Sequence, residues 1–255
     1  MKTILTVTKF TFIEVYRSKI MMSLLFIAIG LIVVTYVASE FAFGAPAKVA
    51  LDVGLGMLSL SNLAMALFVG ATLLSKEIEQ RTLYMILSRP LSRASFLIGK
   101  TLGLSAILII NSFFLALMTV AVYLVLGGHF EALILWASFF SLLEALLVLL
   151  FAVFFSLITN TTMSVIYTII VYIVGQALNE TTSILFAKNS AIISSILKAS
   201  TIIIPHFYQL NLKDYVLYRQ DLSLHYLLGT VGYTFSYITF MYFMISYVFN
   251  RKNLD

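Results

Sequence analysis

The chain contains no cysteine. That excludes a disulfide framework, a thiolate metal site and a thiol nucleophile. Charge is scarce as well: 11% of the residues are Asp, Glu, Lys or Arg, where a soluble globular domain carries roughly 25%. The patterns HExxH and GxSxG are missing, and no pair of carboxylates is spaced for acid/base catalysis. His129, His206 and His225 are scattered and read as ordinary surface residues, with no metal site. There is no internal repeat and no low-complexity linker, so residues 1–255 read as a single domain.

What is abundant is apolar sequence, 61% of the chain, in long uncharged tracts. Tracts of about 18 to 20 such residues read as membrane-spanning helices. Six qualify: Ile20 to Val37, Val53 to Leu74, Thr101 to Leu126, Leu133 to Ile158, Met163 to Leu178 and Leu227 to Phe249. The expected fold is therefore an all-α polytopic membrane protein with six transmembrane helices. The N-terminal charges (Lys2, Lys9, Glu14, Arg17, Lys19) are spread over about twenty residues with no clear small-x-small cleavage site, so the first tract is expected to be a retained span. No charge separates the fourth and fifth tracts; the polar quartet TNTT (Thr159 to Thr162) predicts a tight helical hairpin there. The segment 179–226 is apolar in part but carries Lys188 and Lys198. A lysine near a span centre costs about 2.5 to 3.5 kcal/mol on insertion scales, so this segment is expected outside the bilayer, as surface-lying or capping helices ending at Pro205. Its Phe207, Tyr208, Tyr215 and Tyr218 could gate a path or meet an extracytoplasmic partner.

Six spans divide the basic residues unevenly. Lys2, Lys9, Arg17, Lys19, Lys76, Arg81, Arg89, Arg93, Lys100, Arg251 and Lys252 fall on one side, 11 of the 16; Lys48, Lys188, Lys198, Lys213 and Arg219 fall on the other. Lysine and arginine bias marks the cytoplasmic face. Both termini are expected in the cytoplasm, and the net charge of +5 reports this bias and not a nucleic-acid partner.

The stretch ASFLIGKT (Ala94 to Thr101) matches the relaxed pattern of a phosphate-binding loop. Its chemistry does not fit. Such a loop needs permissive backbone between a strand and a helix, whereas Ser95, Phe96, Leu97 and Ile98 are not glycines, the proline-containing SRPLSR precedes them, and an apolar tract follows. No strand ends in an acidic residue to hold magnesium. The expectation is that Gly99 and Lys100 mark the entry of the third span, with the lysine snorkelling to headgroups.

Two features invite function. Glu144 is an ionisable group in the fourth span, costly there and by default a functional candidate. It serves either a structural hydrogen bond, with Asn111, Ser112 and Gln176 as candidate partners, or a substrate path. The 75–100 loop is the longest charged stretch between spans; Glu77 and Arg81 stand at i, i+4 in the favourable order, and Pro90 ends any helix. On the residues alone it is either a solvated basic loop or a docking element.

The run KEIEQRTLYMILSRPLSRASFLIGK resembles the cytoplasmic signature of type-2 ABC transporter permeases, at Glu77, Glu79, Thr82, Leu87, Arg89, Pro90, Ser92, Arg93, Gly99 and Lys100. Arg81 departs from the small residue common before the threonine. Ser141 to Gly175, including Glu144, looks like the family's fourth and fifth spans. Ile203 to Tyr218 resembles the outer segment of the subgroup typified by the copper-maturation permease of nitrous oxide reductase. Copper handling itself would favour methionine, cysteine or histidine clusters on the outer side, and none is present.

The resemblance implies a non-catalytic permease in the inner membrane, an exporter or a transmitter of ATP-driven motion. It would pair with a second copy, and two separate ATP-binding subunits would hold ATP and magnesium; no cofactor belongs to this chain. A coupling helix between spans 2 and 3 would place Glu77, Glu79, Arg81 and Thr82 against the ATPase. Arg89 and Arg93 would support docking or anchor to headgroups. Residues 1–19 would form an amphipathic helix along the membrane, with Ile4, Leu5, Phe12, Val15 and Tyr16 on its apolar face and Val7, Phe10 and Ile13 straying. The alternatives are a membrane scaffold or assembly factor without a transport path, and a secondary transporter.

Overall fold

The computed structural model describes residues 2–17, 20–41, 44–79, 92–185 and 204–251. It is all helical, with no strand among those residues. The elements are α1 (Lys2–Arg17), α2 (Ile20–Glu40), α3 (Pro46–Glu79), α4 (Arg93–Val125), α5 (Ala132–Ile158), α6 (Thr161–Leu185), a 3-10 turn (Phe207–Leu210), α7 (Lys213–Leu217) and α8 (Leu224–Arg251). Among the described residues four stretches are long and apolar enough to cross a membrane: Pro46–Thr72, Arg93–Val125, Ala132–Ile158 and Leu224–Arg251; Thr161–Ala177 is a shorter apolar helix. These are the helices of a multi-pass membrane protein.

Local chemistry sets the boundaries. Pro46 opens α3, where its missing N–H costs nothing. Ser92 caps α4, its hydroxyl accepting from the Ser95 amide at 3.2 Å. At the other end of α4, Gly127 takes φ +85° and the chain closes with Gly128 N–H to Tyr123 C=O (3.0 Å) and Gly127 N–H to Leu124 C=O (3.1 Å), a Schellman stop that requires the left-handed glycine. Between α5 and α6 only Thr159 and Asn160 lie outside helix, so the expected hairpin is present. Ser164 of α6 ties it by donating to the Ala152 carbonyl at 2.8 Å.

The centre of the bundle is the α3–α5 pair. Almost the whole circumference of α5 from Leu147 to Val153 is buried. The two helices cross at Gly70, where a Cβ would stand 2.8 Å from Ala152 Cβ and 3.0 Å from the Leu149 carbonyl oxygen. With α4 antiparallel to α3, the start of α4, the turn between α5 and α6 and the end of α8 share one end of the bundle. There the Arg93 guanidinium donates to the Phe249 and Asn250 carbonyls (3.4 and 3.2 Å), capping the last turn of α8.

Several expectations are corrected here. Lys100 does not snorkel: it is 4% exposed and pairs with Glu14 of α1 at 3.1 Å. The reason is that α1 lies over the first turns of α4, seated on two glycines one turn apart, Gly99 and Gly103. This seat also rotates the buried face of α1. Thr11 and Val15 are buried and Val7 packs against the core, while Leu5 and Tyr16 point outward. Ser75 to Glu79, the first part of the expected coupling helix, are the unbroken end of α3; the rest of it, 80–87, lies outside the described residues. Likewise Asn179 to Leu185, expected in the outer segment, continue α6. Residues 186–203, including Lys188 and Lys198, lie outside the described residues. Beyond Pro205 the chain packs into the bundle: Phe207 is fully buried, packed on Phe151 of α5 and Tyr172 of α6, with the Pro205 carbonyl and the Phe207 ring against Gly175. His206 meets α8 through its backbone N–H, which donates to the Tyr233 hydroxyl at 3.1 Å.

Candidate functional site

Helical spacing places the polar residues of the interior. Ser141 and Glu144 lie three apart on α5, and Tyr172 and Gln176 four apart on α6, so each pair shares one helix face. The faces meet. The Gln176 amide donates to Glu144 Oε1 at 2.7 Å and lies 3.2 Å from the Tyr172 hydroxyl. Glu144 is 5% exposed, and no cation stands at ion-pair distance from it among the described residues.

A second polar cluster adjoins this one. Asn62 of α3 (1% exposed) donates to Ser112 of α4 at 3.1 Å and to Ser141 of α5 at 3.3 Å. Asn111 donates to Asn62 Oδ1 at 3.0 Å and to Ser61 at 3.5 Å. Three helices are thus cross-linked at one depth. Of the expected partners of Glu144, the structure brings Gln176 to it; Asn111 and Ser112 belong to the Asn62 cluster, whose Ser141 lines the same cavity as Glu144.

A cavity of about 340 Å³ opens beside Glu144. Its wall is mostly leucine, with Ser59, Ser141, Glu144 and Tyr172 as polar points and Asn211 and Lys213 at the outer rim. Lys213 is committed elsewhere, to Asp52 of α3 at 2.7 Å. This pair clamps α7 onto α3, and the Lys213 ammonium passes so close to Gly56 that a Cβ there would come within 3.3 Å of it. A second clamp, Arg219 to Glu131 at 3.1 Å, borders a further cavity of about 460 Å³ with Lys48 stacked over the Tyr218 ring.

The loop residues fare differently. Glu77 and Glu79 lie in the last turn of α3; Arg81, Thr82 and Arg89 lie outside the described residues; Arg93 begins α4 with its guanidinium on α8. Among the described residues no group of three His, Asp or Glu side chains is placed to hold a metal ion. The GKT of the phosphate-loop pattern is helical, with Gly99 against α1 and Lys100 paired.

Sequence reasoning missed Asn62, Tyr172, the Asp52–Lys213 pair and the Glu14–Lys100 pair. Only the last had a local signal, the small-xxx-small spacing of Gly99 and Gly103. The Asn62 cluster yields a test. Asn62→Leu takes from the buried Asn111 amide its shorter acceptor and leaves only the long contact to Ser61, an expected loss of about 1–3 kcal/mol, read as a lowered unfolding midpoint in detergent; an unchanged midpoint would mean the cluster carries no stability. No protein-family model and no curated protein matches the chain.

Proposed function

We propose that this chain is the membrane-spanning permease subunit of an ATP-driven ABC transporter, an exporter, paired with a second copy and driven by two separate ATP-binding subunits. In this reading α2, α3, α4, α5, α6 and α8 are six spans of an inner membrane, and both termini and the 80–91 loop are cytoplasmic. ATP and magnesium sit on the partner subunits.

The observation that carries the reading is the continuity of α3. One helix of 34 residues, about 50 Å long, exceeds the roughly 30 Å hydrocarbon core. It bears Glu77 and Glu79 in its last turn, where the resemblance puts the ATPase contact. The same helix supplies Leu55, Leu58, Ser59 and Leu63 to the cavity wall beside Glu144 and holds Asp52 at the outer clamp. A push delivered near Glu79 therefore reaches the cavity without crossing a joint. The helical, packed GKT agrees with an ATP site on another chain.

Affinity purification of the full chain from its native membrane tests this. The expected result is an associated subunit with a glycine-rich phosphate loop and ATP hydrolysis that depends on both chains. A chain that keeps its cellular activity with no ATP-hydrolysing partner would overturn the reading in favour of a scaffold.

A further inference from the structure

We infer that the Glu144 cavity binds a lipophilic organic cation, with the carboxylate of Glu144 as its counter-ion. As the identity of the cargo this rests on the transporter reading; as a binding site it does not.

Three observations meet in one place. The first is size and lining: about 340 Å³ walled mainly by Leu55, Leu58, Leu63, Leu210 and Leu212, within the range of small-molecule sites, which are concave, apolar and carry a few fixed polar groups. The second is the charge balance. Glu144 is buried, with the Gln176 amide on Oε1 and the Tyr172 hydroxyl also hydrogen-bonded to it, both neutral. The nearest basic residue on the cavity wall, Lys213, is held by Asp52. A carboxyl group in an apolar wall ionises only beside a positive partner, and here the described residues supply none. A ligand that brings its own charge completes the site. The third is access. Leu60, on the cavity rim, is 61% exposed on the flank of α3, so the mouth faces where lipid or a second copy would lie. An amphipathic ligand dissolved in the bilayer reaches the cavity without passing the outer clamp.

Within the site each group has a task. Ser141 offers a hydrogen-bond acceptor near Glu144 for an N–H of the ligand, and the leucines take its hydrocarbon body. Gln176 fixes the carboxylate so that it need not reorganise when the cation arrives.

The test uses the purified full chain in phosphatidylcholine nanodiscs with no ATPase present. The probe is ethidium, a planar aromatic cation whose fluorescence rises in apolar surroundings. Wild type is expected to bind saturably. Glu144→Gln, checked for folding by size-exclusion profile, is expected to bind about thirtyfold or more weakly, because one member of a desolvated charge pair is gone. Glu144→Asp keeps the charge and is expected to retain most of the affinity. 4-Phenylbutylamine is expected to displace ethidium, and the equally sized 4-phenylbutanol is not. Equal binding by wild type and Glu144→Gln, equal competition by the alcohol, or no saturable binding to wild type would each overturn the proposal. Loss of ethidium binding beside an intact ATPase partnership would remove the cargo class and leave the permease reading in place. Binding without any ATPase partner would do the reverse.

Discussion

Gly99→Leu combined with Gly103→Leu is expected to detach α1 from the bundle. A Cβ at Gly99 would sit 2.6 Å from Val7 Cβ and 3.1 Å from the Ile4 carbonyl oxygen; at Gly103 it would sit 2.7 Å from Thr11 Cβ and 3.1 Å from the Thr8 carbonyl oxygen. Two of these four neighbours are backbone, which cannot yield by a rotamer change. Each overpacked site costs about 1–3 kcal/mol, and the pair, on one contact, on the order of 3–5 kcal/mol. Detachment also breaks the ion pair between Lys100, whose side chain is 6% exposed, and Glu14, whose side chain is 57% exposed. The double variant should therefore melt well below wild type in detergent and expose α1 to protease. Gly232→Ala is the control: nothing lies within 4 Å of a Cβ there, and its midpoint should be unchanged. A double leucine variant that melts with wild type would mean that α1 does not rest on α4.

Charge reversal at the end of α3, Glu77→Lys with Glu79→Lys, is expected to abolish ATP-driven transport while leaving the bundle folded. Both residues follow the span in the last turn of α3, remote from the Asn62 cluster and the cavity, so the unfolding midpoint should hold. If these carboxylates meet basic groups of the ATPase, reversing two of them costs on the order of 3 kcal/mol or more, about a hundredfold or more in association. The readouts are co-purification of the ATPase and transport into inverted vesicles. Normal transport by the double lysine variant would place the coupling contact elsewhere.

How much of this was legible beforehand depended on whether the signal was local. The α5–α6 hairpin was readable because TNTT is a polar break in an apolar run, and such breaks act within a few residues. Glu144 stood out as a lone charge in such a run, and Gln176 was reachable as its partner because a tight hairpin forces α6 back along α5. Asn62 was not readable: in SLSN it is one small polar residue among others, and its value comes from meeting Asn111 and Ser141 across two other helices. The same holds for Asp52 with Lys213. Lys100 was misread because rules for a lysine at a span entrance assume lipid or water beside it, whereas a returning helix supplies Glu14. The burial of Phe207 was unreadable for a related reason. Tyrosines at 208 and 218 fit an interface, yet Phe207, just before the first of them, is buried against α5 and α6, and its destination is set by the gap left at Gly175.

The absence of cysteine provides the most direct measurement of the central claim, since a single introduced thiol is the only one in the chain. Glu79→Cys, carrying a short photoactivatable cross-linker and activated in native membranes, is expected to form an adduct with a subunit that bears a glycine-rich phosphate loop, at higher yield than a thiol placed at Ser59 in the cavity wall. An adduct only with lipid, or only with chains that hydrolyse no ATP, would contradict the account.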